Sequence, residues 1–257
     1  MLTMEPAFIA LGLLVGTLVG MTGVGAGSLV TPALALSGVP PAIAIGTDLA
    51  YAAASKTVGA FAHRYQRSLD LRLAGLLALG SVPAAVLTIA FLAVHGVRNS
   101  MLNAALAVAL ILTALVLLVG RARFQAFAAR YEQRISNVRS PLTVAAGVLL
   151  GVLVSLSSVG AGALGAVMLV ALYPRLPALN VAGTDIAHAV PLTLVAGLGH
   201  LWLGHVDFGL AANLLAGSVP GIIAGSLLAG RMPDALVRRV LACVLLYAGA
   251  RLGVAAV

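Results

Sequence analysis

Two glycine-rich stretches interrupt otherwise apolar runs and carry the residues best suited to hold an anion. The first is Thr22-Gly23-Val24-Gly25-Ala26-Gly27-Ser28, and the second is Ser157-Ser158-Val159-Gly160-Ala161-Gly162. Glycine costs a helix about 1 kcal/mol against alanine, so these stretches predict breaks. A break inside a membrane frees N–H groups that must meet protein, water or a solute, and such groups suit an anion. The predicted anion-binding residues are Thr22, Gly23, Gly25, Gly27, Ser28, Ser157, Ser158, Gly160 and Gly162.

Close helix packing through small residues is the alternative explanation for glycines in apolar runs. Gly12, Gly16 and Gly20, at four-residue spacing, fit that alternative. The glycines at 23, 25 and 27 do not, because alternate spacing cannot place all three on one helix face.

Lys56, the sole lysine, stands in the middle of an apolar run. We predict that it supplies positive charge to a bound anion or to Asp48, and snorkelling to the membrane surface is the alternative. Thr193 occupies the equivalent place in the second half of the chain.

Asp48 and Asp185 each follow a threonine near the start of an apolar run. A carboxyl group at membrane depth is a candidate for carrying protons, so we predict that both couple transport to protons. The alternative is that each caps a helix N-terminus. The neighbours expected to line the same cavity are Thr47, Tyr51, Thr184 and His188, although a buried structural role is common for histidine. Asp70 and Asp207 are expected to cap the helices that follow them.

The composition is that of a polytopic membrane protein. Of 257 residues, 61% are hydrophobic and 9% charged, with a mean hydropathy of +1.12. Apolar runs near 20 residues follow one another almost to the end, which predicts membrane-spanning helices. The net charge of +8 comes from arginines in short loops, as the positive-inside rule predicts, and not from a nucleic-acid surface. The first apolar run lacks a basic leader and is expected to be retained.

The chain reads as two copies of one unit. Gly46-Thr47-Asp48 matches Gly183-Thr184-Asp185, and Gly80-Ser81-Val82-Pro83 matches Gly217-Ser218-Val219-Pro220 at the same spacing. Internal symmetry of this kind is typical of repeat-built transporters. We predict an N-terminal transmembrane repeat over 1–120, a basic cytoplasmic linker over 121–140 that is amphipathic if helical, and a C-terminal repeat over 141–257.

Two arrangements of the halves are open. If each broken segment crosses fully, the halves run parallel; if each re-enters, the halves are inverted. The re-entrant arrangement places every loop arginine except Arg98 on one side, with Arg251 near the opposite end, and so satisfies the positive-inside rule better. We therefore predict an all-α integral membrane fold of two inverted repeats. Each repeat has a glycine-broken re-entrant segment and three further transmembrane helices, and both termini lie outside.

At the glycine breaks the chain resembles the sulfite exporter TauE/SafE family of membrane carriers. The resemblance rests on the run from Gly23 to Pro32, on Gly46-Thr47, and on the later loop ending in Asp70. Gly160-Ala161-Gly162, Gly183-Thr184 and Asp207 are the second-half counterparts. The chain departs from the family pattern at Ala26 and Ala161, where a glycine is usual, and at Asp48 and Asp185, where a small polar residue is usual. The resemblance implies transport of sulfite, sulfonates or other small sulfur-containing anions, often coupled to protons.

The sequence thus predicts a proton-coupled secondary transporter of a small sulfur-containing oxyanion in the cell membrane. A passive anion channel is the alternative, and a membrane-embedded enzyme or assembly factor is less favoured because the histidines are dispersed and no H-E-x-x-H motif is present. We expect no catalytic residues, no metal and no cofactor. The expected partners are a small anionic solute and the lipid bilayer, without nucleic acid, and a homo-oligomer is compatible with the sequence.

Overall fold

The protein is built from helices throughout the part of the chain that the structure describes. The computed structural model describes residues 5–22, 27–65, 68–228 and 234–256, which form eleven α-helices and one 3-10 turn without β-strands. The helices are α1 (Pro6–Thr22), α2 (Gly27–Leu36), α3 (Pro41–Tyr65), α4 (Leu71–His95), α5 (Asn99–Val119), α6 (Arg121–Ile135), α7 (Arg139–Ser157), α8 (Ala163–Leu172), α9 (Ala178–Trp202), α10 (Phe208–Leu228) and α11 (Asp234–Val254). The 3-10 turn, Ser136–Val138, joins α6 to α7.

Five helices in the described ranges are long and apolar enough to cross a membrane, judged by length and composition: α4, α5, α7 together with the 3-10 turn, α9 and α10. Helices α1 and α8 are apolar but shorter. Helix α3 has the same 25-residue length as α9, and it carries both Asp48 and Lys56. The prediction of an all-helical membrane protein is therefore confirmed.

Glycines bring two pairs of helices into backbone contact. A Cβ atom built on Gly16 of α1 would lie 2.5 Å from the carbonyl oxygen of Ser218 in α10. In the other pair, a Cβ atom on Gly151 of α7 would lie 2.4 Å from the carbonyl oxygen of Ser81 in α4. Small residues permit such close approach, and dispersion contacts then hold the helices together. The predicted packing role of Gly12, Gly16 and Gly20 is confirmed, because all three meet the α10 backbone.

Each of these pairs runs in parallel. Along α1, Gly12 lies nearest Leu214 and Gly20 nearest Ile222, so residue numbers rise together in α1 and α10. The same holds for α7 and α4, where Gly147 approaches Leu77 before Gly151 approaches Ser81.

Helices α3 and α9 run in opposite directions through the middle of the fold. Gly46 at the start of α3 approaches the His205 carbonyl just after α9, and Gly183 near the start of α9 approaches the Ser68 carbonyl just after α3. Ile45, Leu49, Leu192 and Ala196 from these two helices form one apolar cluster. The α3–α9 pair therefore forms the scaffold that positions the polar interior.

Two predicted helix caps are present, and ion pairs attach α6 to its neighbours. The Asp70 carboxylate accepts hydrogen bonds from the N–H groups of Arg72 and Leu73, and Asp207 accepts one from Leu210, so both predicted caps are present. In the linker, Glu132 of α6 pairs with Arg139 and with Arg175, each at 3.1 Å. These ion pairs attach α6 to the start of α7 and to the turn after α8.

Substituting Gly217, which faces α1, tests the glycine packing. A Cβ atom there would lie 1.9 Å from the Ile9 carbonyl oxygen, so we expect Gly217→Ala to destabilise the protein by about 1–3 kcal/mol through overpacking. The measurement is the thermal unfolding midpoint of the purified protein in detergent.

The matched control is Gly75→Ala in α4, where nothing lies within 4 Å of a built Cβ atom. Since alanine favours helix over glycine, this variant should keep or raise the midpoint. Equal midpoints for the two variants would contradict the packing role.

Candidate functional site

The break between α7 and α8 lies at the centre of the candidate site. Helix α7 ends at Ser157 and α8 begins at Ala163. Gly160 and Gly162 adopt φ values of +126° and +145°, which side chains with a Cβ atom rarely tolerate, and Ser158 adopts a left-handed φ of 58°. The alternate glycines thus permit the turn, and the predicted break is present.

Five consecutive backbone N–H groups in this break have no hydrogen-bond partner in the described part of the chain. No described residue accepts a hydrogen bond from the N–H groups of residues 160–164, whereas Gly165 and Ala166 donate back to Gly160 and Gly162. The N-terminus of α8, capped by no side chain, adds its partial positive charge at the same place. The break therefore offers an anion several donors at once.

Lys56 reaches this break from α3. Its Nζ atom donates a hydrogen bond to the Ala161 carbonyl oxygen at 2.5 Å, and the side chain is only half-buried. Lys56 forms no contact ion pair with a described carboxylate, although Asp48 and Asp185 are both near enough to interact with it electrostatically. The positive charge therefore stands beside the free N–H groups.

Asp48 is fully buried and is held by a hydroxyl group. Its Oδ2 atom accepts a hydrogen bond from Thr31 of α2 at 2.5 Å. The Ser158 side chain lies close by, but Ser158 Oγ and Asp48 Oδ1 have no hydrogen-bond partner in this conformation. Asp48 is the eighth residue of α3 and accepts no hydrogen bond from the first turn of that helix, so it does not serve as an N-cap.

Asp185 occupies the equivalent place in α9 with fewer partners. It is 3% exposed, and its Oδ1 atom has no hydrogen-bond partner. The carboxylate lies against the first turn of α8, since a Cβ atom on Gly165 would be 1.9 Å from Asp185 Oδ1. Asp185 is likewise too far into its helix to be an N-cap.

The four residues expected to line the cavity make hydrogen bonds between the two halves. Thr47 accepts a hydrogen bond from the N–H group of Asp207, and Thr184 accepts one from that of Asp70, at 3.0 and 3.1 Å. A second matched pair is formed by Tyr51 with Ser218 at 3.1 Å and by His188 Nε2 with Ser81 at 2.9 Å. All four side chains are buried, so these residues hold the scaffold of the site.

The remaining predicted residues are placed as follows. The Ser157 hydroxyl donates to the Leu153 carbonyl at 2.6 Å and accepts from the Val159 N–H group, so it supports the break from within. In the first half, Gly27 begins α2. Gly23 and Gly25 lie outside the described residues, as do the side chains of Thr22 and Ser28.

Sequence reasoning missed three hydroxyl groups: Thr31, Ser81 and Ser218. Thr31 precedes Pro32 in the first glycine run, and the two serines belong to the repeated Gly-Ser-Val-Pro motif, so each lay within a recognised pattern. Their contacts cross between helices, which a pattern along the chain cannot show.

Among the described residues, no group of three or more His, Cys, Asp or Glu side chains could hold a metal ion. The long apolar helices and the buried polar side chains between them are those of a multi-pass helical membrane protein.

The chain belongs to the sulfite exporter TauE/SafE family, whose sequence model matches residues 8–252. It is 37% identical to the "Probable membrane transporter protein YjnA" of Bacillus subtilis (strain 168), over 97% of this chain and 100% of that protein. No solved structure matches the chain. The family and the name of this relative are those of a membrane transporter rather than an enzyme, in agreement with a multi-pass protein of the cell membrane.

Proposed function

We propose that this protein is a secondary transporter of a small sulfur-containing oxyanion, sulfite or an organosulfonate, and that protons drive the transport. The observation that carries the proposal is the row of five free N–H groups at residues 160–164 beside the Lys56 ammonium group. An oxyanion presents several acceptor oxygens and a negative charge, and both are matched by such a row.

The carboxyl groups support proton coupling. Asp48 and Asp185 lie on facing helices, both near Lys56, in surroundings from which water is largely excluded. Carboxyl groups at such depth are costly when charged and are commonly used as proton carriers. Asp185 is the stronger candidate, because no described hydroxyl group holds its carboxylate as Thr31 holds that of Asp48.

We also propose that the two halves, residues 1–120 and 141–257, are inverted repeats joined by the linker 121–140. In the second half, the hydroxyl groups of Thr143, near the start of α7, and Tyr173, just after α8, are hydrogen-bonded at 3.0 Å between their oxygen atoms. This contact supports a segment that returns to the side from which it entered. In the first half, one cavity of about 520 Å³ is lined by Glu5 and Phe8 at the start of α1 and by residues 37–40 after α2. Both broken segments are thereby proposed to be re-entrant.

Helix length supports the same arrangement. Helix α8 has 10 residues and rises about 15 Å, half of the ~30 Å apolar thickness of a bilayer. Helix α7 is longer, but its first residue, Arg139, is paired with Glu132 of the polar linker and belongs outside the apolar layer. The α7–α8 break is therefore proposed to lie at membrane depth, where its free N–H groups need a polar partner.

The described arginines fit this topology. Tracing the helices in turn places Arg64, Arg72, Arg175 and Arg238 on the same side as the linker, and Arg98 and Arg251 on the other. By the positive-inside rule the linker side is the cytoplasmic one.

Accessibility of single cysteines tests the re-entrant arrangement. In a Cys243→Ser background, Glu5→Cys and Ser37→Cys flank the α1–α2 segment at exposed positions, and Ser136→Cys marks the linker. In right-side-out vesicles we expect an impermeant maleimide to label the first two, and to label Ser136→Cys only after permeabilisation. Labelling of Glu5→Cys and Ser37→Cys from opposite sides would show that the segment crosses fully.

Anion binding tests the function itself. Thermal-shift titration of the purified protein with sulfite, sulfate, thiosulfate, taurine and sulfoacetate should give a saturable rise for at least one. Lys56→Gln, which removes the charge beside the free N–H groups, should weaken that binding about tenfold, as loss of a charge-assisted contact does. Ser55→Ala, one position earlier on α3, is the control and should bind normally. A panel without any response, or unchanged binding by Lys56→Gln, would contradict the proposal.

Flux in proteoliposomes tests proton coupling. The double variant Asp48→Asn with Asp185→Asn should abolish anion flux driven by a pH gradient, because no carboxyl group remains to carry the proton. Asp185→Asn alone should cause most of the loss while leaving anion exchange at equal pH. Asp70→Asn, which changes a helix cap outside the site, is the control. Unchanged pH-driven flux in the double variant would remove the coupling, and flux without saturation or counterflow would indicate a channel.

A further inference from the structure

A basic cavity lies at the ends of two helices, and no residue of the α7–α8 break lines it. It has a volume of about 470 Å³ and is enclosed by the end of α5, the start of α6 and the start of α11. Four arginines line it: Arg121, Arg123, Arg238 and Arg239. This cavity is called the arginine cavity below.

The positive charge of the arginine cavity is not neutralised by the described part of the chain. The ion pairs among the described residues are those of Glu132 with Arg139 and Arg175, and the described lining of the cavity contains no acidic residue. Arg121 makes only a long hydrogen bond, 3.5 Å, to the Leu176 carbonyl oxygen. Four uncompensated guanidinium groups around one cavity repel each other and favour a bound anion.

The backbone adds further donors at the same place. Gly120 turns the chain with a φ of +76° between α5 and α6, and it offers no side chain as a cap. The N–H groups of residues 121–123 have no hydrogen-bond partner among the described residues, while that of Phe124 bonds to Gly120. Arginine side chains and a free helix N-terminus both suit a phosphate group.

One wall of the arginine cavity is apolar and faces outward. Leu118 and Val119 line it and are 44% and 41% exposed. Beyond them, Leu115 of α5 and Val240 and Val244 of α11 are also exposed, and continue the apolar surface along the two helices. A soluble anion would make no favourable contact with this apolar wall, whereas the acyl chain of a lipid would cover it.

We propose that the arginine cavity binds the phosphate headgroup of an anionic phospholipid, with its acyl chains along α5 and α11. A headgroup with two phosphates, as in cardiolipin, matches four arginines better than one with a single phosphate. Basic pockets at the ends of membrane helices recognise lipids in this way. Binding there would hold the start of α11 against the linker.

Lipid titration of the purified full-length protein tests the proposal. The ligands are cardiolipin, phosphatidylglycerol, zwitterionic phosphatidylcholine and inorganic phosphate, and the readouts are bound lipid by native mass spectrometry and the thermal unfolding midpoint. We expect affinity in the order cardiolipin, phosphatidylglycerol, phosphatidylcholine, without a matching effect of inorganic phosphate. The double variant Arg238→Gln with Arg239→Gln should weaken cardiolipin binding about tenfold or more, because each arginine at the membrane surface adds to the attraction.

The control carries the same change of charge at the opposite ends of the same two helices. Arg98 precedes α5 and Arg251 lies in the last turn of α11, and both are exposed. Arg98→Gln with Arg251→Gln should leave cardiolipin binding unchanged. If both double variants lose binding equally, the attraction is general and the proposal is overturned. It is also overturned if inorganic phosphate binds as strongly as the lipid. If the first double variant does not fold, Arg123→Gln alone should give a smaller loss of the same kind.

Discussion

The constraint on which this structure depends is that a helix broken inside an apolar layer must find partners for its freed backbone groups. In hydrocarbon each unsatisfied N–H group costs several kcal/mol. The α7–α8 break is nevertheless held firmly, because Val159 is buried in one apolar cluster, Ala161 in another, and Lys56 holds the Ala161 carbonyl. The protein thus holds the break in place and leaves its N–H groups without partners among the described residues. A polar group bound there would satisfy them.

The polar interior contains both signs of charge without a contact ion pair among the described residues. Lys56 contacts the break and interacts electrostatically with both carboxyl groups, but it forms a contact ion pair with neither. A buried lysine without nearby negative charge is costly, and the two carboxyl groups lower that cost without a direct ion pair. This arrangement leaves the ammonium group without a contact ion pair among the described residues, and it makes the energy of the Lys56 charge depend on whether Asp48 and Asp185 are protonated.

Much of the fold could be predicted from the sequence because it follows from local sequence patterns. The apolar runs predicted the helices, the alternate glycines predicted the α7–α8 break, and Asp70 and Asp207 were recognised as helix caps. The roles of Thr47, Tyr51, Thr184 and His188 were not recoverable, because each contacts a residue far away in sequence. The difference between Asp48 and Asp185 was hidden for the same reason: Thr31, on a neighbouring helix, donates a hydrogen bond to the carboxylate of Asp48, while the aspartates themselves lie in matching motifs.

The tightest contacts in the fold join helices from different halves of the sequence, and this limits how the site can open. Sliding residues 1–120 as one body past residues 141–257 would separate α1 from α10 and α4 from α7, whose glycines lie so close to the partner backbone that an added Cβ atom would come within 3 Å of it. A gap of about 0.5–1 Å would already remove a quarter to a half of the dispersion energy of such contacts. The bodies that can move intact are therefore α1 with α10 and α4 with α7. A shift between them would carry the α7–α8 break, which follows α7, relative to Lys56 on α3, and so change the candidate site.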